Sequence, residues 1–177
     1  MRIGIIGSGN IGRTVAEHAV GAGHEVVISN SRGPESLTGL VESLGPNARA
    51  GTVEESATFG DLVVEAIPFG EYETLPADAL AGKVVVSAAN HYPQRDGDID
   101  VGGHTQTGLV AEHLAESTVV KAFNTMYYET LREESRPDAP LDVGSLRDGA
   151  DMEPGSPIYN EPMTLTEARA ELEALRT

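Results

Sequence analysis

The chain opens with an apolar strand that runs without a break into a glycine turn, Arg2-Ile3-Gly4-Ile5-Ile6-Gly7-Ser8-Gly9-Asn10-Ile11-Gly12. The spacing is G-x-G-x-x-G, and each glycine meets a separate demand. Gly7 permits the tight reversal from strand to helix. Gly9 carries no side chain, so a pyrophosphate can approach the backbone. Gly12 lets the next helix lie close to the strand. Ile11, Val15, Ala19 and Ala22 predict one apolar stripe along that helix. Its N-terminus presents free N–H groups and the positive end of a dipole to an anion. The turn alone is a weak signal. With a readable strand before it and a helix after it, the stretch predicts a dinucleotide site in which Gly7, Ser8, Gly9, Asn10, Ile11 and Gly12 hold the pyrophosphate.

Glu25-Val26-Val27-Ile28-Ser29 reads as the second strand and ends at Asn30-Ser31-Arg32. A site that prefers NAD carries a carboxylate near this point to hold the ribose 2′-hydroxyl. Here an amide, a hydroxyl and a guanidinium stand instead. Arg32 can grip a 2′-phosphate through a bidentate, charge-assisted pair, and Ser31 can add a hydrogen bond. The expectation is NADP(H) over NAD(H). The plainer alternative has Arg32 opening a solvated loop before Gly33-Pro34 starts the next helix.

Strands and helices alternate as far as residue 131. A helix is expected over Pro34 to Leu44 and a short strand over Asn47 to Ala50. Thr52-Val53-Glu54-Glu55 has capping-box spacing. Further strands are read at Asp61 to Ile67, Lys83 to Ser87 and Thr118 to Phe123, with a helix over Thr107 to Leu114. Apolar strands separated by helices imply an α/β fold, a doubly wound parallel sheet covered on both faces. Residues 1–131 therefore form the dinucleotide-binding domain. Residues 132–177 form a short C-terminal segment, an irregular proline-bearing loop and then a helix with Leu165, Ala168, Leu172 and Leu175 on one stripe.

The charge balance, 12 basic against 28 acidic residues for a net −16, excludes the basic footprint of a nucleic-acid binder. No apolar run reaches the length of a membrane span, and no signal peptide is read at the N-terminus. The chain has no cysteine, hence no disulfide or thiolate chemistry, which fits a cytoplasmic enzyme. His104 and His113 lack helical ligand spacing, His18 and His24 read as a helix-face and a loop residue, and no metal site is expected.

Ligands of an open parallel sheet sit beyond the carboxyl ends of the strands. The fourth strand delivers Ile67-Pro68, the fifth Asn90-His91-Tyr92, and the sixth Ala122-Phe123-Asn124-Thr125-Met126. His91 is a candidate general acid or, more blandly, a loop histidine that only packs or hydrogen-bonds. Tyr127 and Tyr128 read as packing residues.

With these strand ends in view, the chain resembles the F420-dependent NADP oxidoreductases, a Rossmann-fold family that moves a hydride between NADP(H) and the 5-deazaflavin coenzyme F420. The matching stretches are Ile5 to Gly12, Asn30 to Glu35, Asn90 to Gly97, Val120 to Thr125 and Glu153 to Tyr159. The resemblance implies that Ile67, Pro68, Asn90 and Ala122 line the nicotinamide. It places the deazaflavin near His91, Asn124, Met126 and Pro154. It implies an NADP-dependent oxidoreductase whose partner is a small-molecule redox coenzyme, with a homodimer allowed and neither nucleic acid nor membrane required. Both reactants bring their own reactive rings, so the protein supplies proximity and alignment. No catalytic side chain is assigned. One departure stands out: a block of roughly thirty residues, the size of one βαβ unit, is missing near residues 136–142. Two alternatives stay open, a reductase of a flavin, quinone or small carbonyl, and a non-catalytic NADP(H)-binding module.

Overall fold

Six parallel strands lie side by side in the order β3-β2-β1-β4-β5-β6. They are β1 (Arg2–Ile6), β2 (Glu25–Ser29), β3 (Ala48–Ala50), β4 (Leu62–Glu65), β5 (Val84–Ser87) and β6 (Thr118–Lys121). The computed structural model describes residues 1–125 and 127–133, and an antiparallel pairing of Leu141–Asp142 with Pro162–Met163. Met126, Pro154, the remainder of the C-terminal loop, the shortened block and the C-terminal helix expected from the sequence lie outside the described residues.

The sheet is apolar because both of its faces are covered. On one face Ile3, Ile5, Val26, Ile28 and Val64 pack against Val15, Ala16 and Ala19 of α1 (Asn10–Gly21). On the other, Ile6, Val63 and Val85 meet Phe69, Leu75 and Leu80. Val110 and Leu114, from α6 (Gln106–His113) and its end, close that side. Strand order reverses between β1 and β4, which both pair with their neighbours in parallel. Their carboxyl ends therefore diverge into a crevice, the usual ligand position in a doubly wound sheet.

Several boundaries differ from the sequence expectation for local reasons. The α1 stripe is carried by Val15, Ala16 and Ala19 with Ile11 partly buried beside them, and Ala22 drops out because the helix stops at Gly21 and leaves it as an exposed C-cap. The stretch from Pro34 to Leu44 divides into a tight 3-10 turn at Pro34–Leu37 and α2 (Thr38–Leu44). The capping box holds: Glu55 N–H donates to Thr52 Oγ1 at 3.1 Å, Thr52 N–H donates back to Glu55 at 2.7 Å, and α3 (Val53–Phe59) follows. Between β4 and β5 come a 3-10 segment, Phe69–Thr74, and α4 (Ala77–Leu80). α5 (Pro93–Asp96) lies in the loop after β5. β6 ends at Lys121, short of the Phe123 expected, since Phe123 takes a left-handed φ of 64° that no strand continues through. α7 (Tyr128–Glu133) then folds back onto α1. Its Leu131 is buried, the Leu131 carbonyl lies 3.0 Å from His18 Nε2, and Arg132 pairs with Glu17 at 3.0 Å.

Candidate functional site

The glycine turn is built as its spacing demands. Gly7 sits at φ 110°, and a Cβ placed there would strike the Ala66 carbonyl. A Cβ on Gly12 would strike the Gly7 carbonyl. These two glycines therefore set how closely the turn lies over the end of β4 and how closely α1 lies over the turn. The N-cap of α1 is Gly9, with no side-chain cap and no acidic residue in the first turn. Its free N–H groups face a site suited to an anion.

The turn is tied to the end of β2 by one residue. Asn30 Nδ2 donates to Ser8 Oγ at 3.1 Å and to Ser36 Oγ at 3.0 Å, while its Oδ1 accepts the Arg32 N–H at 2.9 Å. Asn30 thus fixes the loop that carries Ser31 and Arg32, both of which are exposed. Gly7, Ser8, Gly9, Asn30, Ser31 and Arg32 line a cavity of about 630 Å³ that runs to Ile67, Pro68 and the start of α3. That volume is ample for an adenosine phosphate.

Ala66, Ile67 and Pro68 form a wall shared with a second cavity of about 380 Å³. This cavity is lined by Gly9, Asn10 and Ile11 on one side and by Ala88, Asn90, Tyr92, Phe123, Asn124 and Tyr128 on the other. Asn90 Nδ2 donates to the Asn124 carbonyl at 2.7 Å, which joins the ends of β5 and β6 across its floor. The left-handed Phe123 is the bend that delivers Asn124 to the cavity.

Three expected site residues among those described do not line either cavity: Gly12, which lies under the turn against the Gly7 carbonyl, Ala122 and His91. Ala122 lies one residue deeper than the lining Phe123, with its N–H donating to the Ser87 carbonyl at 3.1 Å. His91 is turned into the fold. Its Nε2 lies 2.7 Å from the Gly97 carbonyl, its ring packs 5.7 Å from that of Phe69, and its N–H donates to Gln106 Oε1 at 2.9 Å. A ring nitrogen spent on a backbone carbonyl is not presented to a ligand in the cleft. The structure places His91 in the packing role, while its neighbours Asn90 and Tyr92 face the cavity.

Beneath the wall lies a polar row that the sequence analysis did not single out. Glu65, Ser87 and Lys121 stand in register on β4, β5 and β6, all buried. Ser87 Oγ donates to Glu65 Oε2 at 2.7 Å, and Ile67 N–H donates to Glu65 Oε1 at 3.1 Å. Burial pushes the Glu65 carboxyl above its ordinary value, while the Ser87 and Ile67 hydrogen bonds and the Lys121 charge pull it back. The carboxyl group anchors the backbone of the wall from below. A charged residue inside the apolar run Leu62-Val63-Val64-Glu65-Ala66-Ile67 was the available signal, as was Lys121, one of only two lysines.

Comparison with known proteins agrees with this geometry. The family described as NADP oxidoreductase, coenzyme F420-dependent, matches residues 2–91, half of the chain. The chain belongs to this family. The rat metalloreductase STEAP3 is 36% identical over 131 residues, 71% of this chain. The chain spans only 25% of that protein's length. Among solved structures, a hypothetical protein from Sinorhizobium meliloti is 31% identical, with a TM-score of 0.67 over 78% of this chain and 67% of its own. A candidate F420-dependent NADP reductase from Arthrobacter superposes with a TM-score of 0.66 at 22% identity, over 99% of this chain and 79% of its own, and shows the shared Rossmann fold.

Proposed function

We propose that the chain transfers a hydride between NADP(H) and the deazaflavin coenzyme F420. The observation that carries this reading is the pair of cavities meeting at Ile67 and Pro68, one ending at Arg32 and the other at an amide- and tyrosine-lined mouth. No carboxylate stands at the end of β2, where one would repel a 2′-phosphate. Gly7 to Gly12 would hold the pyrophosphate, and Ser31 with Arg32 the 2′-phosphate. Asn90 and Asn124 offer amide groups for the carboxamide and ring edges. The aromatic rings of Tyr92, Tyr127 and Tyr128 at the mouth suit a planar second reactant.

NADP(H) supplies the hydride chemistry when bound, and the protein's share is alignment and exclusion of water. The experiment is the absorbance change on mixing protein, NADPH and oxidised F420. Loss of the deazaflavin band supports the reading. An unchanged band, with NADPH binding shown by titration, overturns the choice of acceptor.

A further inference from the structure

Asp96, the last residue of α5, does not line the cleft, yet it is joined to three of the loops that do, and its neighbour Arg95 lines the second cavity. Its side chain is 1% exposed. Oδ1 accepts Arg95 Nε at 2.7 Å; Oδ2 accepts Arg95 Nη2 at 2.8 Å and the Tyr92 N–H at 2.9 Å. Gly70, in the loop after β4, packs directly against Asp96: a Cβ added there would lie 3.3 Å from the Asp96 Cβ. Arg95, so held, donates from Nη2 to the Asn90 carbonyl at 2.8 Å, and its guanidinium lies 5.1 Å from the centre of the Tyr92 ring. Asn90 in turn donates to the Asn124 carbonyl at 2.7 Å. One buried anion therefore meets the loop after β4 by packing, the loop after β5 by hydrogen bonds to Tyr92 and Arg95, and the loop after β6 through Arg95 and Asn90. The adenosine half has a separate tie, Asn30, and shares none of these bonds.

We propose that Asp96, acting through Arg95, is a positioning residue that fixes the nicotinamide half of the cleft and leaves the adenosine half untouched. The proposal rests on the NADP(H) reading of the two cavities and adds to it which residues hold the second one in shape. The Arg95 hydrogen bonds hold the Asp96 carboxyl down to about 2, against the opposing effect of its burial, so the anchor stays charged at any working pH. Removing the carboxylate takes from Arg95 and the Tyr92 N–H the partner that orients them.

The test compares two ligands. NADPH spans both halves; 2′,5′-ADP fills the adenosine half alone. Asp96→Asn is expected to raise the Kd for NADPH about ten-fold, the scale of a lost charged hydrogen bond, and to leave the Kd for 2′,5′-ADP within about two-fold of the wild type. Arg95→Met should show the same selectivity, with at least as large a loss for NADPH because Arg95 itself lines the second cavity. Asp96→Glu, which keeps the charge but displaces it, carries the test if Asp96→Asn does not fold, with a smaller loss for NADPH and none for 2′,5′-ADP. The double variant should be no worse than the weaker-binding single one, as for residues acting in one chain. Equal weakening of both ligands would mark a general structural role and overturn the proposal, as would NADPH binding that does not change. The F420 absorbance assay stands apart: its failure removes the acceptor and leaves this titration intact.

Discussion

The two halves of the cleft are made by different means. The half proposed to take the adenosine phosphate is mostly backbone, with glycines at fixed spacing, a free helix terminus and one asparagine tying the turn to the end of β2. Its residues fall in two short runs, Gly7 to Gly12 and Asn30 to Arg32. The half proposed to face the nicotinamide is mostly side chain. It gathers Ile67, Asn90 and Asn124 from three strand ends, and hydrogen bonds join Asn90 to Asn124 and to the Arg95–Asp96 pair. Backbone sites tolerate almost no change at their close contacts, whereas side-chain sites fail one bond at a time.

That contrast is most easily broken at the glycines. Gly7→Ala should cost about 2–5 kcal/mol of stability, the sum of left-handed strain and overpacking against the Ala66 carbonyl. Gly9→Ala is its control. No protein atom lies within 4 Å of a Cβ at Gly9, so melting should change little while NADPH binding weakens. Thermal denaturation of the two variants, followed by NADPH titration of Gly9→Ala, separates a glycine the fold needs from one the ligand needs. Equal melting temperatures for both would refute the close-contact account of Gly7.

Arg32 should show the next largest effect, on ligand choice alone. Arg32→Ala is expected to weaken NADPH binding by about 1.5–3 kcal/mol, as for lost charged hydrogen bonds, and to leave NADH binding nearly unchanged. Paired titrations decide it, and equal losses for both cofactors would take Arg32 out of the 2′-phosphate role.

How legible each half is in the sequence follows from the same contrast. The strands, the parallel class of the sheet and the glycine turn were readable because they depend on local periodicity and on spacings within a dozen residues, whereas the strand order was not. Asn30 was visible as a site residue, but its task of joining Ser8, Arg32 and Ser36 was not, since hydrogen bonds leave no periodic trace. The row of Glu65, Ser87 and Lys121 spans 56 positions and becomes a row only once β4, β5 and β6 pair in register. Asp96 was seen only inside the Asn90 to Gly97 stretch, because its reach to Gly70 depends on two loops folding together. Strand ends were overrun for a related reason: Phe123 continues an apolar run in composition, yet its backbone turns left-handed.

A smaller effect, and one with a sign, comes from acid. Asp96 is held below its ordinary 3.8 to about 2, so across that interval the folded protein binds fewer protons than the unfolded chain. Its contribution is present above about pH 4 and is lost as pH falls towards 2. Trimmed for solvent screening at its half-exposed partner Arg95, that contribution is roughly 1–2 kcal/mol. Glu65 runs the other way: its carboxyl is raised, so its contribution is present below its ordinary 4.5 and lost as pH rises through the folded value. Denaturant unfolding between pH 2 and 5 should therefore show an acid limb in the wild type that flattens in Asp96→Asn. An unaltered limb would mean the carboxylate is not held by Arg95.

The smallest expected effect is at His91, and it bears directly on what the nicotinamide half does. Its Nε2 is committed to the Gly97 carbonyl at 2.7 Å and its ring to Phe69, so it neither touches the cavity nor offers a proton to it. A glutamine there can still donate to that carbonyl. His91→Gln should keep turnover within about two-fold of the wild type, the range of substitutions away from a site, and leave the pH profile of kcat superimposable. A profile that loses a limb in the variant would make His91 an acid or base after all. The nicotinamide half would then perform proton transfer as well as alignment, and the division between a backbone-built half that binds and a side-chain-built half that only positions would no longer hold.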